Sequence, residues 1–388
     1  MYRLLIELSI AAAILVFVLP RTAISQNSAD WRLPIHKCWS NEADLSFRAN
    51  ASDNEKTIVS PLADDKIRAF DSRTGEILWD LELNGRLTSQ IVVDEKTLYF
   101  AVSPHTADID EQRIVNVSDF KRQTPLLTAV DIDSGLNNWT LDYLSVPDSA
   151  TEFSILTDEK TLYVLSGSGE ISAIEKKTRS MVWSRELGTS LSAVPFYQKG
   201  LLFIGTNNKT VITISALTGE ITGQIPIGFE PTSIAAADGL LFAGDKEGNI
   251  STVEIEGTES YWKSFAGGEI VDISRLGQDI LVSSNDNFAY RFSARNGAKV
   301  WKRKLSGRLL GNAYLDGMTA AFLSVGSSEV LLIDLENGKI VNRITAPDEG
   351  YFVSSPISID NKLVLPTNKG LKAFSPLCSP NSTSEVSK

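Results

Sequence analysis

Histidine and cysteine are almost missing from this chain: two of each in 388 residues. Two histidines, His36 and His105, cannot build a multi-histidine metal site, and they leave little for a histidine-based triad. No Cys-x-x-Cys-His run offers a haem attachment, and no glycine-rich phosphate loop opens a helix. Basic charge is short as well. Lys and Arg number 37 against 48 Asp and Glu, a net charge of −11. That balance removes the electrostatic footprint of a nucleic-acid binder and disfavours adhesion to an anionic membrane surface. A run long enough to span a bilayer, about 20 residues, is absent too.

The apolar run Leu8–Leu19 has twelve residues, follows Arg3 and ends at Pro20. Ala23-Ile24-Ser25 then gives a small-x-small pattern before Gln26. These features predict a secretory signal peptide over 1–25 and an exported mature chain, periplasmic or extracellular, with no transmembrane segment. The competing reading is an uncleaved anchor. No cysteine follows the run closely, so no lipid anchor is expected. What remains is 43% apolar and 8% aromatic, enough for a sizeable core.

Eleven-residue windows repeat through that remainder. They are AFDSRTGEILW (69–79), AVDIDSGLNNW (129–139), AIEKKTRSMVW (173–183), TISALTGEITG (213–223), TVEIEGTESYW (252–262), RFSARNGAKVW (291–301) and LIDLENGKIVN (332–342). Most carry glycine at or beside the seventh place. Five end in Trp, and Gly223 and Asn342 replace it in the other two. Between the windows a polar turn leads into an apolar strand, as in DEKTLYF (94–100) and DGLLFAG (238–244). A unit therefore reads as four short strands, for example 87–94, 96–102, 126–133 and 137–143. Four strands recurring about every 40 residues predict an all-β fold, a β-propeller of four-stranded antiparallel blades.

The ends of the chain decide the number of blades. GLKAFSPLCSP (370–380) opens like a window, with Ala373 and Phe374, but never reaches its Trp. Stepping back 40 residues from Trp79 lands on Trp39, in HKCWS, where no Ala-Phe strand precedes it. The fragments are complementary. They predict eight blades over 36–378, the last closed by strands from both termini, with 379–388 as a disordered tail. In the aligned window Cys378 takes the place of Thr74 and Cys38 that of Leu78, so a Cys38–Cys378 disulfide is expected.

The window A-x-D-x-x-T/S-G-x-x-x-W resembles the repeat of the pyrroloquinoline-quinone (PQQ) enzymes, over about residues 36–378. Trp-Asp occurs once in the windows, at Trp79-Asp80, which sets WD-repeat propellers aside. The resemblance implies that Trp39, Trp79, Trp139, Trp183, Trp262 and Trp301 are structural and dock each blade on its neighbour. It leaves function open, because the repeat occurs in quinone dehydrogenases and in non-catalytic propellers such as the outer-membrane assembly factor BamB. The dehydrogenases use adjacent cysteines and calcium-binding acids, and this chain has no adjacent cysteines. No catalytic, cofactor-binding or metal-binding residue is therefore assigned.

One hairpin departs from the repeat. Between the second and third strands of the Trp79–Trp139 blade, Ser103–Pro125 swells to about 23 residues. It carries His105, Asp108, Asp110, Ile114 and Phe120. Long loops on rigid scaffolds carry binding function, and they are also tolerated insertions. The expectation is an exported, monomeric, non-enzymatic propeller that binds protein partners of the cell envelope. A quinone-dependent dehydrogenase and a carbohydrate- or ligand-binding surface module are the alternatives.

Overall fold

The computed structural model describes residues 29–46, 51–52, 56–104, 125–142, 152–257, 260–309, 311–345 and 350–379. Among these residues every regular element is a β-strand. The eight sheets are consecutive along the chain except for one. Blades 1 to 7 occupy 51–82, 85–142, 153–186, 196–226, 231–265, 270–304 and 314–345. Blade 8 takes three strands from 357–375 and its outermost strand, His36–Asn41, from the other end of the chain.

Each outer hairpin follows from its window. In blade 1 the Asp71 carboxylate accepts the backbone N–H of Arg73 and of Thr74. The Gly75 N–H donates to Asp71 O at 2.8 Å, with Gly75 at φ 76°. That left-handed step costs glycine little and other residues about 1–2 kcal/mol. The chain then re-enters the sheet with one extra residue. Ala69 pairs with Trp79 and Phe70 with Ile77, so Leu78 stands in a bulge. The outer hairpins of the other seven blades shift register at the same place.

The core is divided. Eight apolar clusters lie one between each pair of neighbouring blades. Phe100 of blade 2 packs with Ile67 and Ala69 of blade 1, and Phe374 of blade 8 with Leu332 of blade 7. Alternation makes this possible, because each middle strand has apolar residues on both faces and both faces meet another blade. Stability is then a chain of nearest-neighbour terms around a ring.

The predicted first strand 87–94 of blade 2 needs correction. It is two pieces, Gly85–Leu87 and Val92–Asp94, both paired with Thr97–Pro104. The Ser89 hydroxyl accepts the Ala101 N–H, so a side chain replaces a backbone acceptor and the chain swings away. Ser103 and Pro104 belong to the second strand, Thr97–Pro104, rather than to the insertion.

Candidate functional site

The blade junctions are the most specific chemistry on the molecule. Five of the Trp residues lie over the turn glycine of the next blade. A Cβ built on Gly75 would meet Trp39 at 2.5 Å, and one on Gly135 would meet Trp79 at 2.6 Å. Trp183, Trp262 and Trp301 cover Gly219, Gly297 and Gly338 in the same way. The indole N–H donates across the junction: Trp39 to Ser72 O at 2.8 Å, Trp79 to Ile132 O at 2.9 Å, and Trp183 to Ala216 O at 3.0 Å. Trp262 and Trp301 repeat the bond to Ala294 O and Leu335 O. Trp139 differs, because the turn of the next blade has Arg179 at the glycine position, at φ 63°. It lies 5.9 Å from the ring of Tyr99.

A second link, two residues after the Trp, is invisible in the repeat pattern. Asn41 donates to Gly75 O at 2.7 Å. Arg185 donates to Gly219 O and Arg303 to Gly338 O. The turn glycine is thus capped by an indole and its carbonyl held by a side chain of the same neighbouring strand. Two chemically unlike residues, Asn and Arg, fill the place, so no motif reports it.

The closing blade carries the disulfide. Lys37 pairs with Phe374 and Trp39 with Ala373, which leaves Cys38 as the bulge residue. Cys38 and Cys378 are joined, with Cα atoms 5.4 Å apart and a sequence separation of 340. Both side chains abut the core between blades 8 and 1.

Trp31 was not foreseen as a docking residue. It is 3% exposed and fills the junction of blades 7 and 8, beside Leu332, Phe352 and Phe374. Its indole N–H donates to Asp316 Oδ2 at 2.6 Å. Asn342, which stands where the seventh window should have Trp, donates from Nδ2 to Trp31 O at 3.2 Å and Leu33 O at 2.8 Å. Arg32 pairs with Asp334 at 2.9 Å. Burial pushes the Asp334 carboxyl up, but the N–H of Glu336, Arg32 and the N–H of Asn337 more than offset it, and it lies below the usual range. The sequence signal was available: a lone Trp before the first strand, and a window with Asn in place of Trp.

Among the described residues two surfaces stand out for partners. The outermost strand of each blade ends its sheet and leaves one edge unpaired. On these strands the bulge residue and the one before it stand out: Ile77 and Leu78, Met181 and Val182, each 46–54% exposed. The second surface is a cavity of about 340 Å³ lined by the innermost strands of blades 4, 5 and 6. Tyr197, Ser233, Asp272, Arg275 and Asn312 reach its wall, and the exposed Val194 lies at its margin. Burial raises the Asp272 carboxyl above its ordinary pKa, opposed by the Ser274 hydroxyl, 2.5 Å away, and the Ile273 N–H. Arg275 is held outward by Asp238 at 2.8 Å. The arrangement suits binding of polar or extended groups. The expected loop residues His105, Asp108, Asp110, Ile114 and Phe120 lie outside the described residues.

A family model described as outer membrane protein assembly factor BamB matches residues 123–222 and 227–365. The chain belongs to the BamB family. The resemblance read from the window motif and the family match agree. Among curated BamB proteins, that of Shewanella oneidensis is 24% identical over 331 residues, 78% of each chain. That of Yersinia pestis is 23% identical over 332 residues, again 78% of each. The crystal structure of BamB from Moraxella catarrhalis superposes with a TM-score of 0.64 at 16% identity, over 88% of this chain and 97% of that one. The computationally designed Ika8 protein reaches 0.70 at 12% identity, over 88% and 99%. At such identities the structures speak for the fold alone. Among the described residues no helix is long and apolar enough to cross a membrane.

Proposed function

We propose that this protein is an exported, non-catalytic scaffold that holds other polypeptides during outer-membrane protein assembly. BamB-family membership supports the setting. One geometric observation supports the mode: rigid blades present unpaired strand edges with exposed apolar pairs such as Ile77-Leu78 and Met181-Val182. An unpaired edge takes up an extended segment through main-chain hydrogen bonds, and protruding side chains select it. In this reading residues 1–25 are the export signal, 36–378 the scaffold and 379–388 a tail, with 1–25 and 380–388 outside the described residues. No cofactor enters this reading, and a single propeller is the working unit.

The test is site-specific photocrosslinking in the native envelope, with the reactive residue at Leu78 or Val182. Adducts with envelope proteins are expected at both. Oxidation of an alcohol or sugar by the purified protein with quinone and calcium would overturn the scaffold, as would adducts with glycan alone. N-terminal sequencing of the envelope form checks export, with Gln26 as the expected first residue.

A further inference from the structure

The chain-wide charge conceals a local one. Blade 6, residues 270–304, carries seven Lys and Arg against three Asp, a local charge of +4 in a chain of −11. Most of it lies on one strand. The outermost strand Lys299–Lys304 reads KVWKRK, four cations in six residues with no acid. Lys299, Lys302 and Lys304 point outward, and Arg303 is tied to Gly338 of the next blade. Lys299 and Lys302 lie over aromatic faces, with the Lys302 amine 3.7 Å from the Phe288 ring centroid and Lys299 5.0 Å from that of Tyr290. The ring faces attract the two amines and fix their position without removing their charge. The nearest acid, Asp286, is 3.8 Å from Lys302 and already accepts the Tyr290 hydroxyl.

The neighbouring edge supplies what electrostatics alone lacks. Trp262 of blade 5 covers Gly297, two residues before Lys299, so the outer strand of blade 5 meets the turn that leads into the lysine strand of blade 6. Tyr261 and Phe265 on it are 52% and 56% exposed, and Val300 between the lysines is 49% exposed. Val300 stands between Lys299 and Lys302, and the two rings stand on the outermost strand of the adjacent blade, so the rim of the two blades carries both amines and exposed apolar side chains. Such surfaces lie at a lipid interface, with amines on phosphates and rings at the headgroup level.

We infer that the rim of blades 5 and 6 is a docking surface for an anionic phospholipid membrane. The choice of membrane over an acidic polypeptide rests on the three exposed apolar side chains on the same rim as the lysines, and the outer-membrane setting on the family reading. Flotation of the full mature chain with phosphatidylglycerol–phosphatidylethanolamine vesicles at low salt tests it. Binding is expected, falling steeply with salt and absent from neutral vesicles. The K299E/K302E/K304E variant should lose at least roughly 100-fold in partitioning, about fivefold for each positive charge removed. A K160E/K177E/K246E variant, with the same net charge, should bind as the parent does. Circular dichroism melts of both variants separate lost binding from lost folding. No binding to anionic vesicles, equal loss in both variants, or capture of polyglutamate in preference to vesicles would overturn the inference. Protein crosslinking at Leu78 and Val182 is unaffected by any of these results, so the scaffold reading stands or falls separately.

Discussion

Trp31 and Asn342 show how one residue can change what a repeat means. Asn342 breaks the Trp pattern, yet it binds the backbone that delivers Trp31 to the same junction. Trp31→Ala should cost about 3–5 kcal/mol, the usual loss for a buried aromatic, measured by chemical denaturation. Arg179 is the opposite case, a large residue at φ 63° where five sister turns have glycine. Arg179→Gly should raise stability by up to about 1 kcal/mol, since relief of the left-handed conformation outweighs glycine's entropy in the unfolded chain. A lower melting temperature would show that Trp139 needs the Arg179 side chain. Asp272 has a folded pKa above its unfolded one, with burial as the first cause. Its charged form therefore costs the fold at neutral pH, and the cost disappears as pH falls below the ordinary carboxylate range. Asp272→Asn should melt higher than the parent at pH 7, with the gap closing toward pH 3.

Among the elements, the outer hairpin decides most. Its bulge turns one residue out of the ladder in every blade. In blades 1, 3 and 6 that residue is an exposed Leu78, Val182 or Val300, whereas in blade 8 it is Cys38. The same backbone irregularity thus serves as a sticky edge or as half of a staple. Substituting Leu78→Lys and Val182→Lys should leave stability within about 0.5 kcal/mol, because the positions are exposed, while reducing partner crosslinking at those edges. Cys378→Ser should cost about 2–5 kcal/mol, read from denaturant midpoints under non-reducing conditions. Peptide mapping without reductant should recover Cys38 linked to Cys378. Window spacing located this pair because two positions of one hairpin are near each other wherever the hairpin is drawn. The two-piece inner strand of blade 2 was not legible, since it depends on which group Ser89 Oγ accepts.

At the scale of the molecule the ring is held by eight separate interfaces and closed by an arm, residues 29–41, that belongs to no blade in sequence order. Deleting 29–41 should remove an outer strand, two docking tryptophans and the disulfide together. Limited proteolysis should then cut first in blades 7 and 8, while the remaining blades persist longer, as expected of nearest-neighbour stability. The sequence by itself determined the blade count, the antiparallel four-strand unit and the pairing of the chain ends. These rest on periodicity and local turn chemistry, which repeat in every copy and are independent of how the copies meet. The tertiary structure alone decided that Trp31 plugs the seventh junction, that Asn41, Arg185 and Arg303 hold the turn carbonyls, and that Asp272 is buried beside a cavity. It also gathered the lysines of blade 6 with the exposed rings of blade 5. Each of those depends on distances between residues about 30 to 300 positions apart, and a motif written within one window does not report a contact made with another blade.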